Sequence, residues 1–324
     1  MDTILTFLIF IILTIITCFG AMKLSDTAEE FEQNSNIKPM IIGIILAVAT
    51  SLPEFATSLT SSIILNNPNA SIANPIGSNM FNLVVLSVLL IIFQKKIQKN
   101  SISKKQNVLN TIVILMYFLA LAEIFFEKNN QFILGISNNN LITFIFVILY
   151  IIGIKLSSTQ EKENDEKKVD KSRIKKIILK FLMFSLIVLI SSFCLSLVAE
   201  KIIKITGLES GFVGAVFLGI STSLPECVSS LVLFKKGLYN IAAANIVGSN
   251  LFNFIIVSIN DIVYNKPIWN NVTDLDLYLF YFGIIMSILT WFIIQMYNPK
   301  NIVIKIFVPI GVIGLYISYL LISI

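Results

Sequence analysis

The chain reads as an all-α polytopic membrane protein, with ten transmembrane helices in two inverted five-helix repeats. Three observations predict this. Of its 324 residues 56% are hydrophobic and 13% charged, where a soluble domain carries about 25% charged residues. Several apolar runs reach the roughly 20 residues a helix needs to cross the hydrocarbon core, whereas β-barrel strands would read as short alternating segments. Finally, one pattern occurs twice inside such runs, as Ala49-Thr50-Ser51-Leu52-Pro53-Glu54 and as Ser221-Thr222-Ser223-Leu224-Pro225-Glu226.

The first span covers about residues 4–22. With Asp2 and no basic residue ahead of it, it reads as a retained span rather than a cleaved signal. A polar connection with Asp26, Glu29, Glu30 and Glu32 follows. Span two, about residues 39–65, holds the first motif and stops at the turn Asn66-Asn67-Pro68-Asn69. Span three, about 70–93, contains Asn74-Pro75-Ile76-Gly77-Ser78-Asn79-Met80-Phe81-Asn82, and Pro75 is expected to shift the helix locally. Spans four and five run over about 108–126 and 132–154. Residues 161–176 are dense in charge and lack apolar periodicity, so they read as a solvated hinge.

The second half repeats the plan. Span six is about 177–203, and span seven, about 211–234, holds the second motif. Span eight, about 238–263, holds Asn245-Ile246-Val247-Gly248-Ser249-Asn250-Leu251-Phe252-Asn253. Spans nine and ten are about 277–296 and 302–322. The expected division is a first repeat at 1–155 with motif helices at 39–93, a charged linker at 156–176, and a second repeat at 177–324 with motif helices at 211–263. With this span count, the loops on the linker side hold 20 of the 24 basic residues. The other side holds only Lys128, Lys201, Lys204 and Lys266. Lys and Arg favour the cytoplasmic side, so both termini are expected outside a cell membrane and the linker inside.

Thr50 to Thr222 and Glu54 to Glu226 share an offset of 172; Ser78 to Ser249 and Asn82 to Asn253 share one of 171. The halves are therefore copies, separated by a one-residue insertion or deletion in the turn. Five spans is an odd number, so the copies enter the membrane from opposite sides. Inverted repeats place substrate sites near the midplane between the halves.

The repeated residues carry the chemistry. A charged side chain at membrane depth is expensive and marks a functional site by default. Thr50 and Glu54 share one helix face, as do Thr222 and Glu226. Pro53 and Pro225 offer no N–H to the carbonyls of Ala49 and Ser221. Asn74, Ser78 and Asn82 step along one face, as do Asn245, Ser249 and Asn253. The expected pocket has two carboxylates, amides, hydroxyls and freed carbonyls, an all-oxygen set suited to hard cations. A divalent ion, several monovalent ions or protons could each neutralise its charge. Glu123, Glu200, Glu209 and Asp261, near span ends, are expected to be solvated at the interface.

Composition excludes other chemistry. There is no histidine, so catalytic triads and His-ligated zinc or haem are out. Cys18, Cys194 and Cys227 form no close pair and read as packing residues. No enzyme activity, cofactor, nucleic-acid partner or obligate protein partner is expected; the bilayer and the transported ions are the partners.

On these motifs the chain resembles the sodium/calcium exchanger family of the Ca2+:cation antiporter superfamily. That family carries two α-repeats, each with a G-T-S-x-P-E/D helix followed by a G-N-x-x-G-S-N/C-x-x-N/D helix. The match is close over about residues 42–90 and 213–260 and looser over the ten spans. The resemblance implies that Glu54 and Glu226 are the central carboxylates that coordinate Ca2+ and are shared with Na+, and that Thr50 and Thr222 offer backbone carbonyls to Ca2+. It implies that Ala47, Ser51 and Ser78 line one flanking Na+ site, that Gly219, Ser223 and Ser249 line its mirror, and that Asn82 and Asn253 complete the centre. It further implies that the first span of each half slides over a rigid core. This chain departs from the motif where Ala49, Ser221, Ala73 and Ala244 replace glycine, and where Asn253 stands at a position that is Asp in some members. The implied function is a secondary antiporter exchanging Ca2+ for Na+ by alternating access. An H+- or K+-coupled cation exchanger and a passive cation channel are the alternatives.

Overall fold

The computed structural model of the chain describes residues 2–64, 66–97, 102–128, 141–158, 170–206, 221–264, 268–297 and 300–322. Helices make up nearly all of it, with no strand among the described residues. They are α1 (Asp2–Asn34), α2 (Pro39–Thr50), α3 (Leu52–Ile63), α4 (Pro68–Ile92), α5 (Gln106–Lys128) and α6 (Leu141–Ser158). Then come α7 (Lys171–Thr206), α8 (Leu224–Lys235), α9 (Tyr239–Val263), α10 (Asp274–Met296) and α11 (Val308–Ile322). A short 3-10 turn, Ile268–Asn271, precedes α10, and a π-helical turn, Val303–Phe307, leads into α11.

Among the described residues, eight segments are long and apolar enough to cross a membrane, counting α2 and α3 as one broken segment, and α6 is a shorter apolar helix. The helical, membrane-spanning class expected from the sequence is thus observed. The first part of the seventh expected span and the middle of the charged stretch, residues 161–169, lie outside the described residues.

Local signals set the helix ends. Asn66 takes a left-handed φ of 51°. The next residue, Asn67, caps α4 by accepting the Ala70 N–H at 3.2 Å, with Pro68 at the first helical position. Gly237, at φ 78°, turns the chain out of α8. Thr273 and Asp276 cap α10 reciprocally.

Three boundaries differ from the sequence reading. α1 does not stop near residue 22; it continues to Asn34, so Asp26, Glu29, Glu30 and Glu32 ride on the helix itself. α7 begins at Lys171, inside the charged stretch, because Asp170 Oδ1 accepts the N–H groups of Ser172 and Arg173 and starts the helix there. α4 runs unbroken through Pro75. A side chain from the other half, Asn253, donates to the Pro75 carbonyl at 3.1 Å.

α9 is the centre of the molecule, buried along nearly its whole length against α2, α3, α4, α5, α6 and α8. Glycine sets the closest approach. A Cβ on Gly43 of α2 would stand 2.4 Å from the Cβ of Ala244 on α9. α1 and α7 form a separate pair along one side. They run antiparallel, since Phe31 meets Phe181, Gly20 meets Val188, and Thr17 donates to Ser191 at 2.9 Å. Their outer faces expose long apolar rows, among them Ile4, Leu8, Ile12, Ile15, Leu179, Leu182 and Leu186, which suit acyl chains.

Candidate functional site

The site is built where one span breaks in the same way in each half. α2 ends at Thr50; Ser51, at φ −90° and ψ 5°, is the joint; α3 starts at Leu52. The second copy has Ser223 at φ −90° and ψ 9° ahead of α8. The Ser51 N–H closes α2 on the Ala47 carbonyl at 3.0 Å, and the Phe55 N–H opens α3 on the Ser51 carbonyl at 3.1 Å. Between them Pro53 has no N–H to give, so helical bonding cannot run through. Each glutamate then falls in the first turn of the new helix. There the unpaired N–H groups and the helix dipole favour a negative charge. This placement is how the sequence sets a carboxylate inside an apolar bundle.

Both glutamates are 1% exposed. Each is held by a hydroxyl from the opposite half. Ser51 donates to Glu226 Oε1 at 2.8 Å, and Ser223 donates to Glu54 Oε1 at 3.0 Å, with the Ser78 hydroxyl 3.0 Å from that of Ser223.

Behind the carboxylates lies a belt of four amides. Asn79 and Asn250 exchange bonds, each side-chain amide donating to the other's backbone carbonyl at 3.2 and 3.1 Å. Asn82 donates to Asn250 Oδ1 at 3.0 Å, and Asn253 donates to Asn79 Oδ1 at 2.8 Å. Asn253 spends its second N–H on the Pro75 carbonyl at 3.1 Å.

Glu54 Oε2, Glu226 Oε2, Asn82 Oδ1 and Asn253 Oδ1 are among the buried side-chain atoms without a hydrogen-bond partner, and they are the ones that recur at matching positions of the two motifs. A buried polar atom without a partner costs about 1–3 kcal/mol, yet here four acceptors are left in two symmetric pairs. Among the described residues every buried charged side chain is acidic: Glu54, Glu123, Glu226 and Asp261. Among the described residues no buried lysine or arginine neutralises the pair. Oxygen acceptors without donors call for a cation or a proton.

The sequence-predicted residues fare differently. Glu54, Glu226, Ser51, Ser223 and Ser78 come together through the crossed bonds, and Asn82 and Asn253 meet in the amide belt between α4 and α9. Ser249 reaches the same region, donating to the Ala47 carbonyl at 3.4 Å. That carbonyl also receives the Thr50 hydroxyl at 3.2 Å. Thr222 is buried beside Ser223. Gly219 and Glu209 lie outside the described residues. The amide donors of Asn74 and Asn245 are taken by hydroxyls of the neighbouring helix, while Asn245 Oδ1 accepts from Thr50 at 3.4 Å. Asn74 donates to the hydroxyls of Thr57 and Ser58, and Asn245 to those of Ser229 and Ser230, pinning each motif helix to its neighbour. Asn79 and Asn250 were not among the expected site residues. Their signal was the shared offset of 171 and a position three residues before Asn82 and Asn253, hence on the same face.

Two further expectations are corrected. Glu123 and Asp261 are not solvated at an interface; they are 4% and 5% exposed. Asp261 is held by the Thr143 hydroxyl at 2.7 Å, because the turn before α10 and the start of α6 fold over the end of α9. Glu200 is half-buried on α7.

Fold and site together define a polytopic membrane protein with two buried carboxylates held by crossed hydroxyls between two repeated halves. The sequence profile described as sodium/calcium exchanger protein matches residues 5–159 and 176–324, and the chain belongs to that family, which is one of transporters. An uncharacterized membrane protein of Methanocaldococcus jannaschii is 27% identical over 238 residues, covering 69% of this chain and 70% of that protein. The sodium/calcium exchanger MaX1 of Methanosarcina acetivorans is 21% identical over 299 residues, covering 80% and 83%. Among solved structures, the sodium-calcium exchanger NCX_Mj soaked with Na+ and Sr2+ superposes with a TM-score of 0.74 at 22% identity, covering 99% of both chains. The likeness shows a shared fold.

Proposed function

We propose that the chain is a secondary antiporter that exchanges Ca2+ for Na+ across a cell membrane by alternating access, with both termini outside and the charged linker inside. The observation that carries this reading is the set of four partnerless oxygens on Glu54, Glu226, Asn82 and Asn253. Two carboxylates and two amide oxygens offer a formal charge of −2 to a hard cation. Ca2+ neutralises them alone; Na+ does so only in multiples. A site stable when loaded with either, and strained when empty, favours exchange over leak.

The residues take these roles. Glu54 and Glu226 bind both ions, with Asn82 and Asn253 completing the centre. Ser51 and Ser223 orient the opposite carboxylate, so that each half senses the loading of the other. Thr50, Thr222, Ala47, Ser78, Ser249 and Gly219 supply flanking oxygens or the room for them. The α1–α7 pair, which meets the rest through its own face, is the part that moves.

Radiocalcium uptake into proteoliposomes tests the reading. Vesicles are loaded with Na+, with K+, or with an acidic interior free of both. Uptake that requires the outward Na+ gradient is expected. Uptake driven by the proton gradient alone would keep the site and replace Na+ with H+ as the coupling ion. Uptake indifferent to any counter-ion would overturn exchange in favour of a channel.

A further inference from the structure

The two halves build matching sites but surround them differently one turn further out. Beyond the glutamates, α3 and α8 continue toward opposite ends of α9. Ser62 of α3 bonds Asn260 near the end of α9, while Phe234 of α8 packs on Tyr239 at its start. The Phe234 end is the end of the linker, where α6 finishes and α7 begins.

The repeat offsets let the two routes be compared position by position. Ser61 and Ser62 take the places of Leu233 and Phe234, offset by 172; Asn260 and Asp261 take those of Leu89 and Leu90, offset by 171. On the α3 side these positions are polar. The Ser62 hydroxyl donates to Asn260 Oδ1 at 2.5 Å, and Asn260 is itself anchored on the Ile256 carbonyl at 2.8 Å. On the α8 side Leu89, Leu90, Leu233 and Phe234 are all buried. The Phe234 ring stands 5.7 Å from that of Phe93 and 5.3 Å from that of Tyr239. The polar turn nearest each glutamate is kept in both copies, as Thr57 and Ser58 and as Ser229 and Ser230. The symmetry fails only one turn further out.

A cation shedding water needs oxygens to replace it, and an apolar constriction excludes both water and ion. We infer that Phe234, with Leu89, Leu90, Leu233 and Phe93, is a hydrophobic gate at the linker end, and that Ser61, Ser62 and Asn260 form a polar approach at the other, so that ions reach the glutamates over unequal barriers from the two faces. The inference rests on the exchanger reading and adds its sidedness.

Exchanging the copies' own residues tests it. Phe234→Ser and Leu89→Asn give the linker end the polar residues of the other route; Ser62→Phe and Asn260→Leu do the reverse. Initial Ca2+ flux is measured from each face in vesicles of known orientation, beside equilibrium Ca2+ binding in detergent. The first two variants are expected to speed entry from the linker face by on the order of tenfold and to leave the other face nearly unchanged. The second two are expected to slow entry from the far face alone. None touches the site oxygens, so equilibrium binding should persist; where one variant loses it, its partner on the same route decides. Equal effects at both faces, or none, overturn the gate. Absence of counter-ion-dependent flux in the unmodified protein would instead overturn the exchanger reading.

Discussion

Replacing Gly43 by Ala strains the tightest helix contact in the molecule at one remove from the ion site. The new Cβ would lie 2.4 Å from Ala244 Cβ, 2.6 Å from the Ile241 carbonyl oxygen and 3.1 Å from the Asn245 nitrogen. Two of these neighbours are backbone and the third is a Cβ, so none can rotate away. Carbon atoms rest at about 3.5–4.0 Å, so α2 must withdraw from α9 by about 1 Å at this level. Overpacking of this kind costs about 1–3 kcal/mol, against roughly 1 kcal/mol regained by Ala over Gly in a helix. The larger consequence lies one and two turns on. The Ser249 bond to Ala47 and the Thr50 bond to Asn245 are both already 3.4 Å long, beyond the usual range, and a 1 Å withdrawal on that scale breaks both.

We therefore expect Gly43→Ala to lower the thermal midpoint in detergent and to weaken Ca2+ binding by about tenfold, the equivalent of two weak hydrogen bonds. Two other glycines calibrate the result. A Cβ on Gly77 would meet only Leu279 Cδ2 at 3.9 Å, so Gly77→Ala should be neutral or stabilising. A Cβ on Gly248, the counterpart of Gly77 in the second half, would meet Ala47 Cβ at 3.0 Å and should fall between. If Gly43→Ala and Gly77→Ala proved equally stable, with Ca2+ binding intact, the reasoning from helix approach to site geometry would fail.

Glu54→Gln and Glu226→Gln should each abolish counter-ion-dependent Ca2+ flux while the protein still purifies folded; full transport by either would remove the glutamates from the site. Ser51→Ala and Ser223→Ala each delete one hydrogen bond to the opposite carboxylate, and such bonds to charged groups are worth about 1.5–3 kcal/mol. Ca2+ titration should show matched losses of about 10- to 100-fold, and a loss in one alone would refute the crossed arrangement. Lys236 lies 2.6 Å from both Asp26 and Glu29 of α1. Partial burial pulls its ammonium down, but hydrogen bonds and charge from the two carboxylates more than reverse this and hold its pKa above the ordinary lysine range. A raised folded pKa lends stability below the unfolded value and loses it as pH rises through the folded one. Lys236→Gln should thus lower the thermal midpoint slightly at neutral pH, the pair being largely solvated, and flatten its decline in strong alkali; an unchanged alkaline profile would refute the linkage.

The motif residues were legible because their chemistry is anomalous where they stand. A glutamate after a proline in an apolar run, found twice at a fixed offset, points to a site whatever the tertiary packing. Helix existence was equally plain from run length. The errors share a cause. The end of α1 near Met22 was read from polarity, but beside the local Lys23–Asp26 pair, Asp26 and Glu29 find a partner in Lys236 and Glu30 finds one in Lys180, both far away in sequence. Such pairs let a polar stretch stay helical. Glu123 and Asp261 were placed at the interface because a span end is normally wet. Thr143 and the turn before α10 cover Asp261, and no local pattern encodes a covering turn. Asn74 looked like a ligand by its spacing from Ser78, but spacing fixes a helix face and not a partner; the nearby hydroxyls of Thr57 and Ser58 claim its amide.

The amide belt also explains why a third carboxylate would not be equally welcome in the two halves. Asn82→Asp and Asn253→Asp each put an acceptor where a donor had been. In the first case the lost bond goes to Asn250 Oδ1, and in the second to Asn79 Oδ1. Each of those amides can turn its N–H end to the new carboxylate, at the cost of its own bond to a backbone carbonyl. Asn253 has a second duty, the bond to the Pro75 carbonyl at 3.1 Å inside α4, and no rotation restores that. The Pro75 carbonyl keeps its own helical N–H, so Asn253→Asp loses one more hydrogen bond than Asn82→Asp, a difference of about 0.5–1.5 kcal/mol. Both add negative charge to a site with no buried cation of its own. Both variants should bind Ca2+ more tightly relative to Na+, because a divalent ion gains more from an added charge. In thermal unfolding without divalent ions, however, Asn253→Asp should be clearly the less stable of the two. Equal stability would mean that the Pro75 contact is incidental.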